Sequence, residues 1–588
     1  MRWWSMLSFA FFTGLVAFIS WRLTRKDDLS TNTGYFLGGR SLSGIVIAAS
    51  LILTNLSAEQ LVGTNGTAFA SGLTSMSWEA TSGLTLVFMA LIFLPRYLKG
   101  GFTTVPEFLE ERFDTGTRNL VTGLFLISLS FVTIPIVLYA GGIAINSLFN
   151  IPELLNISES QSLFIVIATI GVIGGIYAIF GGLKAIAVSD TINGIGLFIG
   201  GLMIPILGLR VLGNGNVLTG MDSLIVNIPD RMDAIGIGNK FSSVPFSTLF
   251  TGMILVNTFY WCTNQQIVQR AFGAKNLKEG QKGVLYAGFI KMFTPIILVL
   301  PGIIAFRLYG SEISKMDSAY SVLVSHVLPK PLVGFFGAVI FGAVLSAFDS
   351  ALNSASTMFC LNIYKPIFNK NVDDKKLVKM GKIFGTIIGI FSIFVAPNIA
   401  RAPEGLYIFM KSVMGFFNIP ILVVVLMGFV TKKVPAIGAK ISIFFFIICY
   451  ALYKFVFHIN IHYLHIYGIL FVCCVLIMLI SGLIAPRKVP YVQKDIGEVD
   501  LNSWKHAKPI SFVAITTLIY IYIIFSPIGI IYHGSNYGMR LLIITFIYAI
   551  ISITGFIVVK KKFNKSFINN GEVKIIEKTN NINYDRHN

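Results

Sequence analysis

Asn55-Leu56-Ser57-Ala58-Glu59-Gln60 is a polar stretch in the second half of an apolar run that extends from Gly44 to Gly63. The run is about 20 residues long, which is the length that crosses the hydrocarbon core of a membrane. Polar groups left unpaired at that depth are costly, so these side chains are expected to be buried in protein or to line a cavity. A carboxylate there indicates a functional site. The stretch therefore predicts one half of a ligand and ion site inside a membrane.

The composition of the whole chain is that of an integral membrane protein. Of its 588 residues, 55% are hydrophobic and only 12% are charged, whereas a soluble chain carries about 25% charged residues. The net charge of +19 is scattered over short loops, which the positive-inside rule explains without nucleic acid as a partner. All five cysteines lie in apolar runs, which predicts reduced thiols. The chain has no Walker motif and no nucleophile elbow, so neither an ATP-driven pump nor an enzyme is expected.

A hydropathy window of about 20 residues indicates about 15 candidate spans. Their approximate limits are 3–22, 43–63, 75–98, 118–148, 162–180, 187–212, 245–268, 283–308, 331–361, 379–397, 404–430, 437–457, 462–484, 510–532 and 539–560. Basic residues, Arg112 and Arg270 among them, concentrate in alternate loops. This alternation predicts a multi-pass protein of the cell membrane with its N-terminus outside and its C-terminus in the cytoplasm.

Two further polar patches interrupt apolar segments. Ser77-Trp78-Glu79-Ala80-Thr81-Ser82 places Ser82 at i+3 from Glu79 on one helix face, although Glu79 has the alternative of a position at the membrane interface. Asn257 to Gln266 combines four amides with Tyr260 and Trp261. Amides beside aromatic rings suit a hydroxylated ring such as a sugar, and an interfacial aromatic belt is the alternative.

Isolated charges complete the set of candidate residues. Lys291 lies alone in an apolar segment, so it must pair or reach water. Asp190 either belongs to the site or caps the start of a span. The spacing of His458, His462 and His465 would allow a metal site, but no cysteine or carboxylate lies nearby to support one.

The segment from Gly342 to Thr357 is rich in small residues. Small residues permit close helix packing. The segment also offers the Ser346 hydroxyl as an oxygen ligand for a small hard cation, with Asp349 at i+3 on a similar face.

Several longer motifs resemble the sodium:solute symporter family, and most closely its sodium–glucose and bacterial sodium–galactose cotransporter branch. The resemblance extends in order from about residue 33 to about residue 430. It is carried by Asn55 to Gln60 and by the motifs at Tyr35–Leu42, Thr104–Phe113, Ile176–Leu183 and Gln269–Phe272.

The resemblance implies an all-α integral membrane protein with the LeuT-type fold, in which two inverted five-helix repeats each begin with a helix broken at mid-membrane. With peripheral helices the fold has about 14–15 transmembrane spans. The boundaries that follow are 1–42 for a peripheral span and cytoplasmic loop, 43–212 and 245–430 for the repeats, 213–244 for an extracytoplasmic loop, 431–562 for peripheral spans, and 563–588 for a disordered cytoplasmic tail.

The resemblance also implies site residues by motif position. The solute site would be lined by Asn55, Gln60, Glu79, Ser82, Asn257 and Lys291, with Trp78 as a flanking aromatic residue and with Tyr260 as an inner gate beside Trp261. Sodium, the co-transported ion, would bind the carbonyls of Leu53, Leu56 and Ala343 and the hydroxyl of Ser346. Asp190 would lie on the exit path of the ion.

Two positions depart from the family pattern. Ala347 stands where the family has a second serine hydroxyl at the sodium site, so water or Asp349 would have to replace that ligand. If Asp349 does so, proton coupling or an altered ion affinity follows. The glutamine of the tenth core helix falls on Lys411 or Ser412.

The function that the resemblance implies is sodium-coupled import of a small polyhydroxylated solute, such as galactose or glucose, by alternating access. The alternatives are another solute (myo-inositol, an amino acid, or a carboxylate such as sialic acid) and proton coupling. A membrane sensor would need a soluble signalling domain, which is not evident. The expected partners are the small-molecule substrate and the lipid bilayer, and the expected state is a monomer or a weak homo-oligomer.

Overall fold

The computed structural model describes residues 2–25, 29–237, 244–401, 406–457, 459–534 and 537–584, and within these ranges every named element is a helix. The α-helices of the N-terminal half are Arg2–Thr24, Asn32–Leu37, Gly44–Asn55, Ala58–Ser71, Ser77–Phe88, Leu94–Lys99, Val105–Arg112, Thr115–Ile127, Ile134–Phe149, Ile151–Leu155, Glu159–Leu212, Val217–Asn227 and Pro229–Met232.

The α-helices of the C-terminal half are Gly252–Cys262, Gln265–Phe272, Leu277–Phe293, Pro295–Leu298, Leu300–Tyr309, Ala319–Val327, Val333–Met358, Asp374–Val395, Leu406–Val430, Ala436–Phe455, Tyr463–Ile484, Ala507–Ile524 and Tyr537–Tyr584. Short π-helical or 3₁₀ segments join or cap them at Gly38–Arg40, Gly72–Met76, Met89–Phe93, Ser128–Thr133, Phe246–Phe250, Met316–Ser318, Lys330–Leu332, Phe359–Phe368 and Ala396–Arg401.

Within the described residues, twelve helical stretches are long and apolar enough to cross a membrane; some join consecutive named helices, such as Ala58–Lys99, and Glu159–Leu212 supplies two. A thirteenth span follows if the bent pair Leu277–Phe293 and Pro295–Tyr309 is counted as one. The sequence predicts about 15 spans. The two that are not found as single helices are 43–63 and 245–268. Each is divided by two non-helical residues into shorter helices, so the lower count comes from the breaks and not from missing membrane segments.

The longest core helix, Glu159–Leu212, turns at Gly182, where the backbone has φ 63° and ψ 179°. The sequence predicts two spans here, 162–180 and 187–212, and the structure divides them at this turn. An added Cβ at Gly182 would lie 3.1 Å from the carbonyl oxygen of Tyr35. Positive φ and close backbone approach together require glycine.

Local hydrogen bonds explain the Thr104–Phe113 motif. Thr104 and Glu107 form a reciprocal capping box at the start of Val105–Arg112. The N–H of Val105 donates to Oε1 of Gln265 (2.9 Å). The motif therefore anchors this helix to a segment that is distant in sequence.

The two arginines counted above as loop cations are buried. Arg112 donates to the carbonyl oxygens of Gly428 (3.1 Å), Thr431 (3.0 Å) and Val434 (3.2 Å). Arg270 is fully buried within a helix. A guanidinium has five N–H donors, so carbonyl oxygens can satisfy it away from water.

The structure differs from the sequence prediction at the C-terminus. The last helix continues to Tyr584, through most of the segment that we expected to be disordered, and residues 585–588 lie outside the described ranges. Residues 563–584 contain no proline and a single glycine, so nothing in their backbone chemistry stops a helix. The other domain boundaries stay predictions.

Candidate solute and ion site

The first discontinuous helix consists of Gly44–Asn55 and Ala58–Ser71, separated by Leu56 and Ser57. Ser57 is extended, with φ −95° and ψ 176°. Serine competes with helical hydrogen bonding through its own side chain, so it is suited to this position. The polar stretch Asn55–Gln60 is thus the break itself and the turns on either side of it.

The break redirects two backbone hydrogen bonds. The N–H of Ser57 donates to the carbonyl of Asn55 (2.9 Å), not to Leu53 four residues earlier. The N–H of Gln60 donates to the carbonyl of Ser57 (3.1 Å), not to Leu56. The two carbonyls passed over, those of Leu53 and Leu56, are the ones implied as sodium ligands. Unwound backbone of this kind is how membrane transporters expose oxygens to cations.

The second discontinuous helix consists of Gly252–Cys262 and Gln265–Phe272, separated by Thr263 and Asn264. The N–H of Asn264 donates to the carbonyl of Phe259 (2.9 Å), and its side chain accepts from the N–H of Gln266 (3.1 Å) as an N-cap. The amide-rich patch therefore ends one helix and caps the next.

A cavity of about 50 Å³ lies between the two discontinuous helices. A cavity of this volume has room for roughly three to five water molecules. Among the predicted solute residues, its lining includes Asn55, Gln60, Trp78, Glu79, Ser82, Asn257, Tyr260 and Trp261. The fold thus brings together residues that are up to 206 positions apart in the sequence, from 55 to 261.

Lys291 lies behind this lining as the ionic partner of Glu79. Its ammonium contacts the carboxylate of Glu79 and Oδ1 of Asn55. Thr294 adds a hydrogen bond to Glu79 Oε2 at 3.1 Å. Both charged residues are at most 2% exposed, so protein encloses Glu79, and its depth in the membrane stays a prediction. The pair neutralises both charges beside the cavity.

The amide of Asn257 is held against the second polar patch. Its Nδ2 donates to Oγ1 of Thr81 (2.6 Å), and its Oδ1 accepts from Oγ of Ser82 (3.3 Å). On the facing side, Oε1 of Gln60 accepts from Oγ1 of Thr64 (3.1 Å). These bonds orient the amides before any solute is present.

Aromatic rings form the flat surfaces of the cavity. The rings of Tyr260 and Trp261 meet edge to face with centroids 5.2 Å apart. The ammonium of Lys411 lies 4.9 Å from the ring centre of Trp78, a cation–π distance. Lys411 lines the cavity, so the departure from the family's glutamine falls within the site.

The predicted ion site has an unused oxygen on the facing helix, Val333–Met358. Oγ of Ser346 is buried and makes no hydrogen bond of normal geometry among the described residues. One turn further on, the hydroxyls of Ser350 and Thr54 lie 3.4 Å apart and join this helix to the first discontinuous helix. A buried hydroxyl that makes no such bond to the described protein groups fits a cation ligand. The role of Ala343 as a carbonyl ligand stays a prediction.

Asp190 does not cap a helix, because it lies inside Glu159–Leu212 and is 1% exposed. It accepts from Oγ of Ser50 (2.6 Å) and lies 3.8 Å from the guanidinium of Arg270. Arg270 also donates to Ser50 (2.9 Å) and contacts Ser350. This buried cluster joins both discontinuous helices to the long helices Glu159–Leu212 and Val333–Met358.

The sequence placed Arg270 among the loop cations and in the Gln269–Phe272 motif, without a role at the site. It also left several cavity residues without a role, namely Thr54, Thr133, Val137, Val256, Met410, Met414 and Asn418. Most of these are apolar or belong to segments without an unusual polar pattern. Glu59, Asn264, Gln266 and Lys411, which belong to the polar stretches or depart from the family pattern, also line the cavity. Asp349, whose Oδ1 is buried without a hydrogen bond in the described part of the chain, does not line this cavity.

The histidines have structural contacts. Nδ1 of His462 accepts from the N–H of Leu464 (3.3 Å) and caps Tyr463–Ile484. Nδ1 of His465 lies 3.0 Å from Oγ1 of Thr251, just before the second discontinuous helix. His458 lies outside the described residues.

The chain is similar to transporters of one family. Residues 35–445 match the SSF: Sodium:solute symporter family. The chain is 47% identical over 535 residues to a protein of Escherichia coli (strain K12) named "Uncharacterized symporter YidK", covering 91% of this chain and 92% of the relative. It is 29% identical over 460 residues to the sodium/glucose cotransporter of Vibrio parahaemolyticus, covering 74% and 82% of the two chains.

A solved structure has the same fold. It is described as the substrate-bound outward-open state of a Na⁺-coupled sialic acid symporter, with a TM-score of 0.71 and 20% sequence identity, and the match covers 83% of this chain and 99% of that chain. The likeness confirms the predicted LeuT-type fold.

Proposed function

The chain belongs to the sodium:solute symporter family, and from that premise we propose that it imports a small polyhydroxylated solute, such as galactose or glucose, together with sodium. The observation that carries the proposal is the cavity between two broken helices, where amide groups adjoin aromatic rings. Hydroxyl groups both donate and accept hydrogen bonds, so amides match them in either direction.

The proposed solute contacts follow from the side chains that face the cavity. Gln60 and Asn257 would hydrogen-bond ring hydroxyls, because their amides are already oriented by Thr64 and Thr81. Tyr260 would cover one face of the ring and move aside for release towards the cytoplasm. Lys291 would act through Glu79, which it positions by direct contact.

Sodium would couple to the solute through the first discontinuous helix. It would bind the Leu53 and Leu56 carbonyls and the Ser346 hydroxyl, and so favour the packing of that helix against Val333–Met358. A ligand shifts an equilibrium only as far as it binds one state better than the other. One charge crossing 100 mV is worth about 2.3 kcal/mol, so one sodium ion supports roughly 50-fold accumulation from voltage alone.

An acidic sugar is the second candidate, because Lys411 lines the cavity where the resemblance implies a neutral glutamine. Lys291 would not attract the carboxylate of an acidic sugar as Lys411 would, because Glu79 already pairs with its ammonium. Glu59 also lines the cavity and would repel a carboxylate. The balance of these charges favours a neutral polyhydroxyl compound.

The test is uptake of labelled sugars, polyols and sugar acids into proteoliposomes with imposed sodium or proton gradients. We expect sodium-driven uptake of a neutral sugar or polyol. Uptake driven only by a proton gradient would reject sodium as the coupling ion, and absence of any gradient-driven sugar or polyol uptake would reject the proposal.

Gln60→Ala tests the solute site without disturbing the fold. We expect it to abolish uptake while the purified protein keeps its thermal stability, because only the bond to Thr64 is lost. The control is Gln493→Ala, whose amide donates to the carbonyl of Arg96 away from the cavity and which should leave uptake unchanged. Normal uptake by Gln60→Ala would show that the solute site is misassigned.

A further inference from the structure

A large apolar cleft opens on the membrane-facing surface beside the first discontinuous helix. Its volume is about 870 Å³, and five helices form its walls. Each contributes apolar side chains, among them Ile45, Ile195, Phe289, Ile510 and Phe556. Ile45 and Ile195 are 70% and 62% exposed, so the cleft is open to the hydrocarbon. Space of this polarity is dry and accepts apolar molecules.

Aromatic contacts lead from the cleft to one membrane surface. Tyr286 and Phe556 line the cleft. The ring of Tyr286 contacts Trp504 (centroids 5.8 Å apart), Trp504 contacts His506 (5.7 Å), and His506 stacks on Phe556 (6.4 Å). These four rings lie beside one end of the cleft, here called its mouth, on the side that the loop charges predict to be cytoplasmic. Trp and Tyr are the residues typical of that interface.

Basic side chains surround this mouth. Lys560 lies 6.0 Å from the ring centre of Phe556, and Lys505 precedes His506 directly. Burial, with the positive charges of Lys505 and Lys560, lowers the pKa of His506. Nδ1 of His506 is buried and makes no hydrogen bond among the described residues. Lys505 and Lys560 are exposed, so both reach an anion at the surface.

One carboxylate on a wall helix is already engaged. Glu279, two turns before Tyr286, pairs with Lys282 (2.7 Å) and accepts from the N–H of Gly44 (2.8 Å). The lysines at the mouth are therefore not neutralised by Glu279.

We propose that this cleft binds one anionic phospholipid of the cytoplasmic leaflet, with an acyl chain between the five helices and the phosphate against Lys505, His506 and Lys560. Basic pockets between membrane helices on that side are known to suit anionic head groups. The acyl chain would lie against Ile45 and Ile52, on the outer face of the half-helix that leads to the ion site.

The head group, and not the acyl chain, supplies the selectivity. Lipid tails are as apolar as leucine, so moving a tail from bilayer to cleft has little hydrophobic driving force. Each lysine near an anionic head group contributes a factor of about five in affinity. A zwitterionic lipid with the same acyl chains therefore tests the charge contribution alone.

The experiment titrates the delipidated full-length protein in detergent with dioleoyl phosphatidylglycerol or dioleoyl phosphatidylcholine, and counts bound lipids by native mass spectrometry. We expect one phosphatidylglycerol to bind at least about tenfold more tightly than phosphatidylcholine. The double variant Lys505→Gln/Lys560→Gln should lose that preference. Both residues are exposed, so the variant should fold.

A second variant tests the cleft. Gly194 lines it, and a Cβ there would meet nothing within 4 Å, so Gly194→Phe should fill the cleft and weaken binding of both lipids. Gly123 has equal space outside the cleft, and Gly123→Phe is the control. Equal binding of the two lipids, wild-type binding by the lysine or Gly194 variant, or equal losses in both glycine variants would overturn the proposal. No transport assay is needed, so the result is independent of the solute.

Discussion

Glu79 and Lys291 show at the scale of single residues how a charge is kept inside the membrane. Each carries a charge that would be costly alone in hydrocarbon, and each is satisfied by direct contact with the other. Removing one partner leaves an uncompensated buried charge, whereas removing both does not.

We therefore expect Glu79→Gln and Lys291→Met each to destabilise the protein by about 3–5 kcal/mol. The double variant should recover most of that loss, because no charge is left unpaired. Uptake should be absent in all three, since Glu79 lines the cavity. Thermal unfolding in detergent, together with uptake assays, measures both effects. Single variants as stable as the wild type would mean that the pair is not formed.

Ser346 gives a residue-scale test of the ion site. Its hydroxyl makes no hydrogen bond of normal geometry to any residue that the structure describes, so Ser346→Ala should barely change stability without sodium. A hydroxyl bound to a charged group is worth about 1.5–3 kcal/mol, so the sodium half-saturation concentration should rise about tenfold or more. Sodium-dependent thermal shift measures it.

The control for Ser346 is Ser354 on the same helix, whose Oγ donates to Oε1 of Gln269 (2.9 Å). Ser354→Ala should lose stability and keep its sodium dependence. In the opposite direction, Ala347→Ser should lower the half-saturation concentration by adding the family's second hydroxyl. Unchanged sodium dependence in both Ser346→Ala and Ala347→Ser would place the ion elsewhere.

At the scale of elements, interruptions of helices position the site. Two helices break at the level of the cavity, and a third, Glu159–Leu212, turns at Gly182 so that Asp190 faces Ser50 and Arg270. In a continuous helix the same backbone N–H and C=O groups would hydrogen-bond to each other. The interruptions therefore need residues that favour a break at those positions.

Gly182→Ala should destabilise the protein by about 1–3 kcal/mol, because the position has positive φ and a close carbonyl contact. Gly194→Ala, in open space on the same helix, should be neutral or stabilising by about 0.4–1 kcal/mol. Thermal unfolding of the two variants side by side measures the difference. Equal stability would show that the turn at Gly182 does not require glycine.

At the scale of the whole molecule, the distribution of charge predicts which side of the membrane each loop occupies. Asn156 and Lys488 are exposed in loops predicted on opposite sides. A membrane-impermeant maleimide should label Asn156→Cys in intact cells and Lys488→Cys only after permeabilisation. The native cysteines are buried or partly buried, and the wild type gives the background. The reverse labelling pattern would invert the predicted topology.

The polar stretches in apolar segments were enough to predict a membrane transporter with a mid-depth site, because unpaired polar groups in hydrocarbon are too costly to be accidental. Asn55, Glu79 and Asn257 were found in this way. The motifs added the LeuT-type fold. The C-terminal helix beyond residue 562 was not predicted, because polar composition does not by itself exclude a helix.

The sequence by itself determined that the chain crosses the membrane many times and that Asn55–Gln60 interrupts a span, since hydropathy and polarity act locally. Only the tertiary structure decided that Lys291 pairs with Glu79, that Arg270 is buried against Asp190, and that Lys411 reaches the cavity. Lys291 and Glu79 lie 212 residues apart in the sequence, and Arg270 and Asp190 lie 80 residues apart. Their charges are compatible with many pairings, and the packing of the helices selects one.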